Sequence, residues 1–288
     1  MLHQSFKLLF ISATAILLMT HLIPSQGIKQ ITFDPAPDYH VKWSPDGKTL
    51  AFASWRSGEP KIWLVPAEGG EAVILETGLS GDHHIGWSPD SRHIAFDART
   101  GGPPNIYRMP VKGGKAVQLT DGGANFHPSW SPDGTRILFA SIRSGNADIW
   151  WMSSKGKDPK QITRHAATDH HPVWSPDGSE IAFTSQRRGN FDIWIIPFPG
   201  GEARQLTFHE SHDDQACWSP DGTRIAFMSR RSGKGDIWII SVSSGKLVRF
   251  TEKSDNSWPS WSPDGKRIAF ASKRAGKGTN DIWVKNVN

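Results

Sequence analysis

A five-residue stretch, Trp-Ser-Pro-Asp-Gly, begins at Trp43 and returns at Trp130, Trp174, Trp218 and Trp261; a further copy at Trp87 carries Ser91 in place of the glycine. The six tryptophans follow one another at intervals of 44, 43, 44, 44 and 43 residues. A regular period of this size marks an array of supersecondary units, each burying its apolar face against the next. The 288-residue chain is therefore expected to form one array and not a string of separate globules.

The fourth copy shows what one period builds. Pro172-Val173-Trp174-Ser175 runs into the turn Pro176-Asp177-Gly178, and Glu180 to Ser185 alternates in strand fashion. A polar loop, Gln186 to Asn190, leads to Asp192-Ile193-Trp194-Ile195-Ile196, and Pro199-Gly200-Gly201 precedes Arg204-Gln205-Leu206-Thr207. Proline fixes φ at a turn's second position and glycine accepts positive φ, so Pro-Asp-Gly has a physical reason to turn the chain. Four short strands per period, six times over, predict an all-β, six-bladed β-propeller with four-stranded antiparallel blades.

The two ends of the repeat region complete the prediction. The sixth copy supplies three strands, the last at Asp281 to Val287, and its fourth is missing. Lys29-Gln30-Ile31-Thr32 matches Lys160-Gln161-Ile162-Thr163 and Arg204-Gln205-Leu206-Thr207, so the N-terminal strand is expected to close the last blade and remove an exposed sheet edge.

Residues 1–27 read as a signal peptide ahead of a propeller spanning 28–288. Lys7 is followed by a mostly apolar run from Leu8 to Ile23, and Ser25-Gln26-Gly27 places small residues where a signal peptidase cuts. The run is short for a membrane span, which needs about 20 apolar residues. An exported protein, periplasmic or secreted and without a membrane span once the signal is removed, is the expectation. The formal net charge of +5 includes Lys7, and the rest of the excess is scattered through the repeats. Nucleic-acid binding, which wants a basic stripe with stacking aromatics, is not expected. Cys217 is the single cysteine, so neither an internal disulfide nor a cysteine metal cluster can form.

The repeats resemble those of TolB-type periplasmic propellers, which are WD-repeat-like. The residues that carry the likeness are Trp-Ser-Pro-Asp-Gly, the Ile-Ala-Phe second strand, Asp-Ile-Trp and Gln-Leu-Thr, in fixed order from about Ile28 to Asn288. The resemblance implies a six-bladed fold and a protein- or peptide-binding role. Similar repeats also occur in sugar-acid lyases and in the propellers of serine peptidases. TolB's additional N-terminal domain has no counterpart in this reading.

Most repeated residues are expected to be structural. The motif tryptophans, with Trp63, Trp150, Trp194, Trp238 and Trp283, pack within and between blades, and a Trp→Ala change there costs about 3–5 kcal/mol. Arg56, Arg143, Arg187, Arg231 and Arg274 recur at one offset, and Asp148, Asp192, Asp236 and Asp281 recur on the third strand, so the two sets are expected to pair.

The informative position lies three residues before each motif tryptophan. It holds His40, His84, His127 and His171 in four successive copies, then Gln215 and Trp258. Two residues earlier stand Asp38, Asp82, Asn125, Asp169, Asp213 and Asn256, while His83, His170 and His212 add further imidazoles. First strands face a propeller's central channel, so these side chains are expected to ring one mouth of it. Three roles compete: turn capping with inter-blade hydrogen bonds; a ligand or peptide site built from His40, His84, His127, His171, Gln215, Asp38, Asp82, Asp169 and Asp213; and a divalent transition-metal site on His84, His127 and His171.

Two functions follow. One is a non-catalytic, exported propeller that binds a protein or peptide at the channel mouth. The other is a metal-dependent lyase or hydrolase acting on an acidic sugar, its ion held by the histidine ring. A serine hydrolase is not expected, because the chain has no Gly-x-Ser-x-Gly elbow. Binding at the mouth is expected to change below about pH 6.5, where imidazoles gain charge.

Overall fold

A computed structural model describes residues 27–252 and 254–287; the expected signal at 1–27 falls almost wholly outside the described residues. Each 43- or 44-residue period folds as one four-stranded antiparallel sheet, and there are six. The innermost strands are Asp38–Trp43, Ile85–Trp87, Asn125–Trp130, Asp169–Trp174, Asp213–Trp218 and Asn256–Trp261. They touch one another in a closed circle, with the sixth against the first. No helix among the described residues is long and apolar enough to cross a membrane.

Second strands such as Thr49–Ser54 and Glu180–Ser185 are buried on both faces, because each blade is sandwiched between its neighbours. Their central phenylalanines, Phe52, Phe96, Phe139, Phe183, Phe227 and Phe270, are fully buried and form the repeating core. The motif tryptophans are buried too, apart from the half-buried Trp130. Between first and second strands, Ser44 Oγ donates to Asp46 Oδ1 at 2.6 Å, that oxygen accepts the Lys48 N–H at 3.0 Å, and Gly47 sits at φ +72°. In the second copy Ser91 takes a left-handed φ of 58° without being glycine.

Closure follows the sequence expectation. Ile28–Gln30 pairs antiparallel with Asp281–Asn286, Gln30 opposite Trp283. The chemistry of the other fourth strands is reproduced: Thr32 Oγ1 accepts the Ile282 N–H at 2.8 Å, as Thr207 Oγ1 accepts that of Ile193 at 3.0 Å. Gln30 Nε2 donates to Asp281 at 2.9 Å, as Gln205 donates to Asp192 at 3.1 Å.

The expected pairing of the repeated arginines with third-strand aspartates needs correction. Arg56 binds Asp38 through both carboxylate oxygens at 2.9 and 2.8 Å, Arg187 binds Asp169 at 2.8 Å, and Arg231 binds Asp213 at 2.6 Å. In the blades with asparagine, Arg143 and Arg274 reach Asn125 and Asn256, each at 2.9 Å. The reason is reach: each arginine leaves the second strand, where its Nε–H is fixed by a serine such as Ser54, and the first strand is its immediate neighbour. The third-strand carboxylates are engaged instead from the fourth strand.

Candidate functional site: a histidine ring across the central channel

Five of the six innermost strands carry a β-bulge. The pairing register shifts by one residue between Tyr39 and Lys42, Phe126 and Ser129, His170 and Val173, Asp214 and Cys217, and Ser257 and Ser260. At each bulge one residue adopts left-handed backbone: His40 (φ 56°), His127 (58°), His171 (50°), Gln215 (61°) and Trp258 (56°). Bulges re-aim side chains, and a non-glycine residue at such φ is strained unless its surroundings hold it. In this fold the bulge turns the side chain toward the channel axis. The second blade differs: its strand starts at Ile85, and His84 precedes it without a bulge.

The imidazoles meet. Ring centroids of His84 and His127 lie 3.9 Å apart, those of His127 and His171 3.7 Å, and those of His40 and His84 4.2 Å. Trp258 closes the circle 3.8 Å from His40, and Gln215 Oε1 accepts the Trp258 backbone N–H at 2.7 Å. Together these side chains form a septum. On the inner side is a cavity of about 40 Å³ whose lining includes Lys42, Ile85, Pro128 and Val173. Across blades one to three, an open cleft of about 490 Å³ is lined by Tyr39, His83, Asp97, Arg99 and Phe126 as well as the ring.

Gly86 permits this packing. It occupies the place held by Lys42, Ser129, Val173, Cys217 and Ser260 in other blades, and a Cβ there would fall 2.6 Å from the Pro128 carbonyl oxygen. The first strands of the second and third blades therefore approach closely beside His84 and His127.

Two carboxylates that sequence reasoning missed stand behind the ring. Asp97 Oδ1 lies 2.8 Å from His84 Nδ1 and accepts the backbone N–H of His127 at 3.2 Å. Asp214 Oδ1 lies 2.7 Å from His171 Nδ1 and accepts from Thr184 Oγ1 at 2.8 Å. The signal for Asp97 was available, because it is acidic where other second strands have Ala53, Ala140, Thr184, Met228 and Ala271. Asp214 was hidden as the second member of an Asp-Asp doublet.

The four aspartates expected in the ring lie elsewhere. Asp38, Asp169 and Asp213 are fully buried under their arginines, and Asp82 accepts from Thr77 Oγ1 at 2.6 Å, since its blade has Thr100 where the arginine would be. His170 joins the cluster, its Nδ1 2.8 Å from that of His171, whereas His212 meets Phe191 edge to face outside it.

Burial, followed by the neighbouring imidazoles, holds His40 and His127 well below the ordinary histidine range. The same causes bring His170 down to about 3. Protons therefore bind these three rings less readily than they bind an ordinary histidine. Burial alone would raise Asp214, but the His171 ring and its hydrogen bond outweigh it and hold the carboxyl low. Among the described residues, His84, His127 and His171 present nitrogens within 4.8 Å of one another, and His40 is not part of that set. Nδ1 of His127 and Nε2 of His171 are buried without a hydrogen-bond partner.

Fold and site define a class: a closed six-bladed propeller whose channel is crossed by a histidine septum. The TolB β-propeller domain matches residues 18–125 and 120–277, and the chain belongs to that family. No curated protein matches the sequence. A putative TolB from Agrobacterium tumefaciens is similar in structure at 23% identity and TM-score 0.76, covering 91% of this chain and 97% of its own. TolB from Acinetobacter baumannii follows at 24% and 0.65, with 88% of this chain aligned to 64% of that one. An oligogalacturonate lyase in complex with manganese shares 17% identity at TM-score 0.60, over 92% of this chain and 95% of its own. At these identities the likeness is one of fold.

Proposed function

We propose that this chain is an exported propeller that binds a protein or peptide at the histidine-lined mouth of its channel. The observation that carries the reading is the cleft of about 490 Å³ that opens on the septum, where apolar Tyr39 and Phe126 stand beside polar His83 and the exposed Arg99. Apolar walls with a few converging polar groups are what a specific site requires. Export is supported by the closing strand, which begins at Ile28, so that cleavage after Gly27 leaves it whole in the mature chain. N-terminal sequencing of secreted protein should then begin at Ile28.

The binding test is peptide display against the purified protein, followed by affinity measurement on a Tyr39→Ala/Arg99→Ala variant. Selected peptides should bind the variant at least tenfold more weakly and a Lys155→Glu variant, altered in an exposed turn outside the cleft, equally well. Peptides indifferent to the cleft substitutions would refute the reading.

The converging nitrogens of His84, His127 and His171 favour a second reading, a metal-dependent lyase or hydrolase acting on an acidic sugar. Arg99 at the cleft would anchor the sugar's carboxylate. Its assay is the appearance of an unsaturated or shortened product from oligogalacturonate with divalent metal supplied. No turnover over a range of such oligomers would remove it.

A further inference from the structure

We propose that His84, His127 and His171 form a binding site for a single divalent transition ion such as zinc, with Asp97 and Asp214 as its positioning residues. The proposal deepens the second reading above without depending on it, because the ion alone tests it.

Three observations combine. First, of all the histidines in the septum, only these three offer nitrogens that converge, within 4.8 Å, without already being hydrogen-bonded to each other. The other convergent set, His170, His171 and Asp214, has contacts of 2.8 and 2.7 Å that share His171 Nδ1. With that nitrogen's proton committed to Asp214, it has no lone pair for an ion.

Second, two of the three rings carry a nitrogen without a partner, and the other nitrogen of two rings is held by a carboxylate. Asp97 occupies Nδ1 of His84 and Asp214 occupies Nδ1 of His171, which fixes the tautomer of each ring and leaves Nε2 for an ion. A carboxylate behind a histidine is the usual support of a histidine–metal bond. His171 Nε2 and His127 Nδ1 are buried and unpartnered. A buried nitrogen left without a partner is destabilising, and an ion would recover that cost.

Third, the residue types suit the ion: imidazole nitrogens are its commonest protein donors, and a carboxylate stands directly behind two of the three rings. Zinc–nitrogen bonds of about 2.0–2.1 Å need the donors somewhat closer than they stand, a change that small side-chain rotations supply. Three protein nitrogens leave a fourth position open, and His84 and His127 also line the cleft, so an exogenous anion or water would enter from there.

The test is equilibrium dialysis of the purified, untagged protein against zinc chloride, with metal analysis and far-ultraviolet circular dichroism of every variant. The expected result is one equivalent per chain, lost in His127→Ala and retained in His212→Ala, whose ring is exposed and outside the septum. Asp97→Asn and Asp214→Asn should each lower the affinity by about 10–100-fold. Cobalt substitution into the unaltered protein gives a readout independent of variant folding, and should show the visible bands of a four-coordinate, nitrogen-rich site. Zinc binding unchanged in His127→Ala, binding lost in His170→Ala but kept in His127→Ala, or six-coordinate cobalt spectra would each overturn the assignment.

Discussion

Asp97 Oδ1 lies 2.8 Å from His84 Nδ1 across a single blade, and the same oxygen accepts the His127 backbone N–H of the next. One buried carboxylate thus fixes a ring and a neighbouring strand together. Nitrogen-15 NMR of the imidazoles should find His84 protonated on Nδ1 in the unaltered protein. In Asp97→Ala the preference should disappear and stability should fall by about 1–3 kcal/mol, since the His127 N–H loses its partner. An unchanged His84 tautomer in the variant would show that Asp97 does not orient it.

Gly86 is needed for close approach and not for its φ, which lies outside the left-handed region. Gly86→Ala places a methyl group 2.6 Å from the Pro128 carbonyl oxygen, which is backbone and cannot rotate away. The variant should lose about 1–3 kcal/mol, the range for overpacking. Denaturant titration measures it; a loss under 0.5 kcal/mol would mean that the two strands separate without penalty.

The left-handed backbone at His127 reverses an ordinary ranking. Glycine usually weakens a strand relative to alanine, yet at φ 58° alanine carries the left-handed penalty of about 1–2 kcal/mol. His127→Gly should therefore be more stable than His127→Ala by about 1 kcal/mol. Equal unfolding midpoints for the pair would argue that the bulge relaxes once the imidazole is removed.

Acid pairs recur where blades meet, and one gives a pH signature. Burial, followed by the nearby Asp213 carboxylate, raises Asp192 from 3.8 to about 6. A raised carboxylate pKa means that the folded state holds the proton more tightly than the unfolded chain. This contribution is full below about pH 4 and is lost as pH rises through about 6. Asp192→Asn mimics the protonated form, as Asn105 does beside Asn125 in the second and third blades. At pH 7.5 the variant should melt about 2–4 °C higher, equivalent to roughly 1 kcal/mol, with the gain gone by pH 4. A gain that is constant with pH would point to packing instead.

The Ser-Pro-Asp-Gly turns carry the opposite dependence. Hydrogen bonds from Ser175, then from the Ser179 backbone and hydroxyl, lower Asp177 to about 2. Its contribution is present above the ordinary carboxylate pKa and fades as pH falls toward 2. Asp177→Ala should lower the melting temperature at pH 6 and leave it nearly unaltered near pH 2; an equal deficit at both would exclude the carboxylate as the cause.

The period of the motif tryptophans, the turn chemistry and the match between Lys29–Thr32 and the other fourth strands were enough to specify blade number, strand count and ring closure. Each is a local or repeated property, and repetition leaves few ways to bury so many identical apolar faces. The histidine column was legible for the same reason, being a fixed offset from a repeated landmark. What occupies the space behind it was not. Asp97 meets His84 within one blade and the His127 backbone of the next, Asp214 reaches the ring because a bulge re-aims His171 and blades pack side by side, and Asp38, Asp169 and Asp213 are withdrawn from it by arginines that choose the adjacent strand. Register, backbone handedness and contact across blades arise between distant segments, and those are the terms that only the tertiary structure decides.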